Sequence, residues 1–242
     1  MPTLLFYQKP IALNREAHRN LKVRSVPSFA YAAKTNSVPL TGNEFPAAAR
    51  QIPILFVADA NQQLSPIALL GVRQDENLFV EADGRWSGHY IPAFVRRYPF
   101  VLVETRKPEE LAVGIDEAYA GFNTQEGEAI FSEDGNDGSA LKRAIEFLNV
   151  YKNEAARTRA FLAELKRLNL LVPRVLNIAL KDGPQFKLDG FSAVDEGLLA
   201  KLDDKDAGSL LRNGYLGWIY MHLLSMHNIA DLAVRLEPRL KN

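Results

Sequence analysis

Residues 139–169 place an apolar residue at nearly every third or fourth position: Leu141, Ile145, Leu148, Tyr151, Ala155, Leu162, Leu165 and Leu168. That spacing predicts one long amphipathic helix, with Lys142, Arg143, Lys152, Glu154, Arg157 and Lys166 on its wet side. Ser139 is expected to cap it and Pro173 to end it. Such a helix buries one face, and the remainder of the chain must supply the surface that covers it.

The preceding half reads as strands. Ile54-Leu55-Phe56-Val57, Ile67 to Val72, Asn77 to Glu81, Phe100 to Val103 and Leu111 to Ile115 give about five short strands joined by short connections. Short connections favour an antiparallel meander. After the long helix, Val175 to Leu180 and Gln185 to Phe191 predict a hairpin turning at Asp182-Gly183. Four helical pieces follow: Asp195 to Leu202, Asp206 to Asn213 with Gly214 as its stop, Tyr215 to His227, and Ile229 to Leu236. The expected fold class is therefore α+β, an antiparallel β-rich N-terminal half packed with a helical C-terminal half that contains the long helix and the hairpin. One domain is expected over 1–242, divided into an arm (1–45), a β-rich part (46–115) and a mainly helical part (139–242).

Residues 1–45 are broken by Pro2, Pro10, Pro27 and Pro39 and carry Lys9, Arg15, Arg19, Lys22, Arg24 and Lys34 against Glu16 and Glu44. This basic arm either meets acidic surface on its own domain or contacts an acidic partner. The formal net charge of the chain is zero, which argues against nucleic acid as a partner. Without cysteine the chain has no disulfide, thiolate zinc site or Cys nucleophile. The N-terminal MPTLLFYQKPIAL lacks the pattern of a secretory signal, so the cytoplasm is the default location, and no stretch approaches the roughly 20 apolar residues of a membrane span.

Motifs for chemistry are sparse. His222 and His227 lie five apart and do not share a ligand face on a helix, and Asp134 to Gly138 lacks the alternating oxygen ligands of a calcium loop. No metal site, cofactor or catalytic residue is expected. Between Asn77 and Phe100, however, the chain concentrates Arg85, Trp86, His89, Tyr90, Arg96, Arg97 and Tyr98. Together these could form a polar-aromatic recess for a sugar, peptide or carboxylate, with His89 as acid, base or hydrogen-bonding group. Pro92 suits the start of a short helix that Pro99 stops, and adjacent Arg96 and Arg97 then point about 100° apart, one toward an acidic group and one toward solvent.

Leu70-Gly71, Asn77-Leu78-Phe79-Val80, Asp83-Gly84-Arg85-Trp86, Tyr90-Ile91-Pro92-Ala93 and Arg96 to Phe100 together resemble the signature of the SapC family of bacterial surface-layer-associated proteins. Pro39-Leu40, Glu44-Phe45, Pro53-Ile54, Phe131 to Gly135 and Leu223-Leu224-Ser225 extend the likeness over nearly the whole chain. Peptide-transporter permeases share the family's name, but they have membrane spans. The resemblance implies a surface layer role and gene neighbourhoods with flavin-dependent tryptophan-halogenase-like proteins and outer-membrane receptors. It carries no established catalytic residues. Two functions are expected from it. One is a non-catalytic binding or accessory protein of a bacterial surface-layer or nutrient-uptake system, with a protein partner or a small carbohydrate or peptide ligand. The other is an enzyme, or an enzyme's partner, acting beside a halogenase-like or oxygenase protein with a site around Arg85, His89, Tyr90 and Arg96.

Overall fold

The structure, a computed structural model, describes residues 4–104, 111–180 and 184–240. In chain order its strands are β1 (Pro10–Ala12), β2 (Lys22–Val23), β3 (Ser37–Pro39), β4 (Ile54–Ala58), β5 (Leu64–Leu69), β6 (Phe100–Glu104), β7 (Leu111–Asp116), β8 (Phe122–Asn123), β9 (Glu128–Ala129), β10 (Leu171–Ala179) and β11 (Gln185–Val194). Its helices are α1 (Phe45–Ala48), α2 (Ala93–Arg96), α3 (Ser139–Arg167), α4 (Glu196–Leu199), α5 (Asp204–Arg212), α6 (Tyr215–Ser225) and α7 (Asn228–Leu236). The α+β class is as the sequence predicts, with antiparallel sheets, one long helix and a hairpin.

Among the described residues three antiparallel sheets replace the single meander. A five-stranded sheet runs β10-β11-β4-β5-β3, and two three-stranded sheets run β1-β7-β6 and β8-β2-β9. The C-terminal hairpin joins the first of these, with Phe191 opposite Val57 and Ser192 opposite Phe56, so both halves of the chain share one sheet. Its predicted turn at Asp182-Gly183 lies outside the described residues. The arm is not merely extended: β1, β2 and β3 give each sheet one strand. Its basic groups meet the acidic segment that follows β7, through Lys9–Glu117, Arg15–Asp137 and Arg24–Glu126 pairs. These pairs are exposed and contribute little each.

Asp116 fixes the arm more firmly. Fully buried, it accepts from the backbone N–H of Gln8 (3.1 Å), Lys9 (2.8 Å) and Ala118 (3.3 Å) and from the Tyr98 hydroxyl (3.0 Å). An Asp116→Ala variant is expected to lose about 2 kcal/mol, because the two arm amides can rehydrate while Tyr98 loses its acceptor. Hydrogen exchange at Gln8 and Lys9 checks it; protection equal to wild type would refute the tether.

Asn77 to Glu81 is not a strand, apart from one bridge between Val80 and Trp86. Three of its carbonyls are taken by Arg239, which donates to Asn77 (3.0 Å), Leu78 (3.3 Å) and Val80 (2.9 Å), while those of Phe79 and Glu81 accept from the Ser87 and Gly84 N–H groups across the following turn. The Asp83-Gly84 turn forms as expected, with Gly84 at φ 83°, where a side chain would be strained. Gly138, rather than Ser139, occupies the cap position of α3. The helix ends at Arg167, well before Pro173; Asn169 takes a left-handed conformation (φ 51°), and Pro173 lies on the edge strand β10, where its missing N–H faces no partner strand.

The core forms where α3 and α6 cover the five-stranded sheet. Phe45, Phe56, Phe161, Tyr215 and Trp218 pack ring against ring, with centroids 5.3 to 6.5 Å apart. His222, fully buried, joins this cluster 4.7 Å from Phe56. Its Nε2 accepts from the Val194 N–H (3.1 Å), leaving Nδ1 to donate to the Ile54 carbonyl (2.8 Å). Strands β4 and β11 share only two residue pairs, and the imidazole bridges their ends beyond that pairing.

Candidate functional site

Residues Tyr90 to Phe100 and helix α3 face each other across a groove with two recesses. The first, about 300 Å³, is lined by Arg24, Arg96, Arg97 and Arg143 together with Tyr98, Tyr119 and Phe147. Among the described residues Glu128 is its one acidic lining residue, and it is engaged by Arg143 at 2.6 Å. The second recess, about 170 Å³, is lined by Tyr90, Arg96, Phe147, Tyr151 and Glu154. Arg96 and Phe147 belong to both, and the guanidinium stands 5.2 Å over the Phe147 ring. The two recesses therefore adjoin along one groove, with the Arg96–Phe147 stack standing between them.

Local chemistry explains how α2 presents these side chains. Pro92 is extended (ψ 142°) and immediately precedes the helix, so its lack of an N–H costs nothing. The first helical N–H, of Ala93, donates to Glu44 Oε1 at 2.7 Å, and the Tyr90 hydroxyl donates to the same oxygen at 2.7 Å. Glu44 Oε2 accepts from the Thr41 N–H (2.8 Å) and hydroxyl (2.7 Å). This buried carboxylate is thus fully occupied as the anchor of the groove's floor. Burial, then Glu44 beside it, raises the Tyr90 hydroxyl well above the usual phenol range, so Tyr90 stays protonated and donating.

Of the expected pair, one arginine toward an acidic group and one toward solvent, only the solvent-facing one is found: neither Arg96 nor Arg97 makes an ion pair among the described residues. Arg96 is exposed, donates from Nε to the Ile91 carbonyl (2.9 Å) and lies near Tyr90 and Phe147. Arg97 is half-buried, with its guanidinium 3.8 Å from the Phe94 ring centre and 5.5 Å from that of Tyr151. Its Nε is buried and has no hydrogen-bond partner. The Tyr98 ring stacks on Tyr31 at 4.1 Å, and burial, then its bond to Asp116, raises its hydroxyl. Tyr98 therefore offers the recess a ring and keeps its proton for Asp116.

The rest of the predicted set lies elsewhere. Trp86 is buried, stacked on Phe79 (5.6 Å) and donating from Nε1 to the Tyr90 carbonyl (2.9 Å). Arg85 and His89 are exposed and line neither recess; Arg85 sits 3.6 Å from Asp83, and the His89 N–H donates to Gln51. The structure thus brings Tyr90, Arg96, Arg97 and Tyr98 to the groove and leaves Arg85, Trp86 and His89 outside it. Arg24, Arg143, Phe147, Tyr151 and Glu154 were missed as site residues. Four of them repeat at one-turn spacing on α3, beside its apolar stripe, which is the signal that would have found them.

A family model described as SapC matches residues 13–232, a span that includes every lining residue named above. The chain belongs to the SapC family. Neither a curated protein nor a solved structure matches this SapC-family chain. Among its described residues no helix is long and apolar enough to cross a membrane, and no cluster of three or more His, Asp or Glu could hold a metal.

Proposed function

We propose that this SapC-family protein is a non-catalytic binding or accessory component of a bacterial surface-layer or nutrient-uptake system, and that its groove holds a ligand carrying an anionic group. The surface-layer and uptake setting rests on the family resemblance alone. The observation that supports a binding role is the first recess, where four arginines stand among aromatic rings; Arg143 is paired with Glu128 and Arg24 with Glu126, while Arg96 and Arg97 make no ion pair among the described residues. Arg97 carries most of the argument. A half-buried guanidinium that makes no ion pair among the described residues, 3.8 Å from the Phe94 ring centre and 5.5 Å from that of Tyr151, suits a carboxylate or a sugar acid. The alternative, an enzymatic site around Arg85, His89, Tyr90 and Arg96, would need these four side chains to converge, and only Tyr90 and Arg96 share a recess.

A thermal-shift panel tests the binding role, using glucuronate, benzoate and a free tripeptide beside glucose and benzamide as neutral counterparts. An anionic ligand at about 100 times its Kd is expected to add about 2.7 kcal/mol to stability. Arg97→Gln and Arg143→Gln are expected to remove that gain, whereas Arg85→Ala and His89→Ala keep it. Equal gains from the neutral counterparts, or gains that survive Arg97→Gln, would overturn the proposal.

A further inference from the structure

Among the described residues only two buried side-chain atoms lack a hydrogen-bond partner, Arg97 Nε and Glu154 Oε2. One is a cationic donor and the other an anionic acceptor, and each lines one of the two joined recesses. Buried polar atoms are nearly always paired, so the two orphans mark an unsatisfied cation and an unsatisfied anion whose side chains line adjoining recesses, and a ligand carrying both complements would meet them through the parts of those side chains that are not buried. Arg157 does not supply the second one. Its Nη1 stands 3.8 Å from Glu154 Oε2, beyond hydrogen-bond reach, with the guanidinium held 4.6 Å over the Trp218 ring.

The groove's length narrows the class. On α3 the lining runs from Ala140 to Glu154, and the eleven residues from Arg143, the first charged residue on it, to Glu154 rise roughly 16 Å. An extended peptide advances about 3.3 Å per residue, so four or five residues cover that span. The aromatic rings of Tyr90, Phe147 and Tyr151 between the ends give apolar walls for peptide side chains. A sugar acid would satisfy the arginines and leave Glu154 with only the distant Arg157 and no hydrogen-bond donor at Oε2.

We infer that the groove binds a short free peptide along α3, its C-terminal carboxylate among Arg97, Arg143 and Arg24 and its N-terminal ammonium against Glu154. This rests on the reading of the first recess as an anion site.

The test begins with a pool of randomised free pentapeptides equilibrated with the intact protein, the retained peptides being identified by mass spectrometry. The most enriched sequence is then titrated calorimetrically in three forms: free, N-acetylated and C-amidated. Acetylation and Glu154→Gln are each expected to weaken binding at least tenfold, and not to compound one another. Amidation and Arg97→Gln are expected to do the same at the other end. Retention of no peptide overturns the inference; if glucuronate or benzoate still stabilises the protein through Arg97, the anion recess stands without it. Peptide binding that depends on Arg97 but is indifferent to acetylation and to Glu154→Gln also overturns it, leaving the anion recess intact.

Discussion

Replacing Glu44 by Ala is expected to cost about 4 kcal/mol and to lower the melting temperature by roughly 10 °C for a domain of this length. Glu44 is 4% exposed and receives four donors, from the Thr41 N–H and hydroxyl, the Ala93 N–H and the Tyr90 hydroxyl. Truncation leaves two backbone N–H groups buried with no acceptor, at about 1 to 3 kcal/mol each. The Tyr90 hydroxyl is half-buried and can turn to water, so it adds less. Glu44→Gln separates the parts: an amide keeps one acceptor oxygen but turns an NH2 group toward the Thr41 donors, and about half the loss is expected. Chemical denaturation of the three proteins measures this, and an Ala variant within 1 kcal/mol of wild type would show that water replaces the carboxylate. Because Glu44 holds both Tyr90 and the first turn of α2, the Ala variant is also expected to weaken any ligand in the second recess.

His222 gives the second large effect, and it appears as a pH dependence. In the unfolded chain its imidazole takes a proton near pH 6.5; in the folded protein burial outweighs the bond to Ile54 and lowers the value to about 4. Between these values the unfolded state binds more protons, so stability is fully present above about pH 6.5 and falls as the pH drops toward 4. At about 1.4 kcal/mol per pH unit the loss amounts to roughly 3 kcal/mol. His222→Phe keeps a ring in the aromatic cluster but removes both hydrogen bonds. At pH 7 it is expected to be about 3 kcal/mol less stable than wild type, because the Val194 N–H and Ile54 C=O are stranded. The gap between the two proteins should close as the pH falls to 4.5, since only wild type has this imidazole to protonate. A gap that stays constant across urea titrations at pH 7, 5.5 and 4.5 would show that His222 does not titrate in this range.

Local signals account for what was readable in advance. The stripe on α3, the apolar runs of β4 and β6 and the turn at Asp83-Gly84 are written in neighbouring residues, and these elements appear where the periodicity places them. The family match follows the same runs. Half of the groove was visible too, because Tyr90, Arg96, Arg97 and Tyr98 stand within nine residues of one another. Asn77 to Glu81 misled because its β-favouring composition says nothing of Arg239, which arrives from the far end of the chain to take three of its carbonyls. Likewise Arg143 and Glu154 read as the wet side of a helix, and only Arg96 and Arg97, reaching over Phe147 and Tyr151 of α3, turn that side into a wall.

By itself the sequence determined the elements and the α+β class, since helix and strand periods depend on residues a few positions apart. It also set the supply of arginines and aromatics in a chain without cysteine. Tertiary structure decided which of them work together. It divided the strands among three sheets, threaded the arm through all of them and fused the C-terminal hairpin to β4. It turned Trp86 into the core, left Arg85 and His89 in solvent, and set Glu44, from 46 residues upstream, beneath Tyr90. Those outcomes depend on burial and on pairing every buried donor with an acceptor, conditions that hold over the whole folded chain and leave no trace in local spacing.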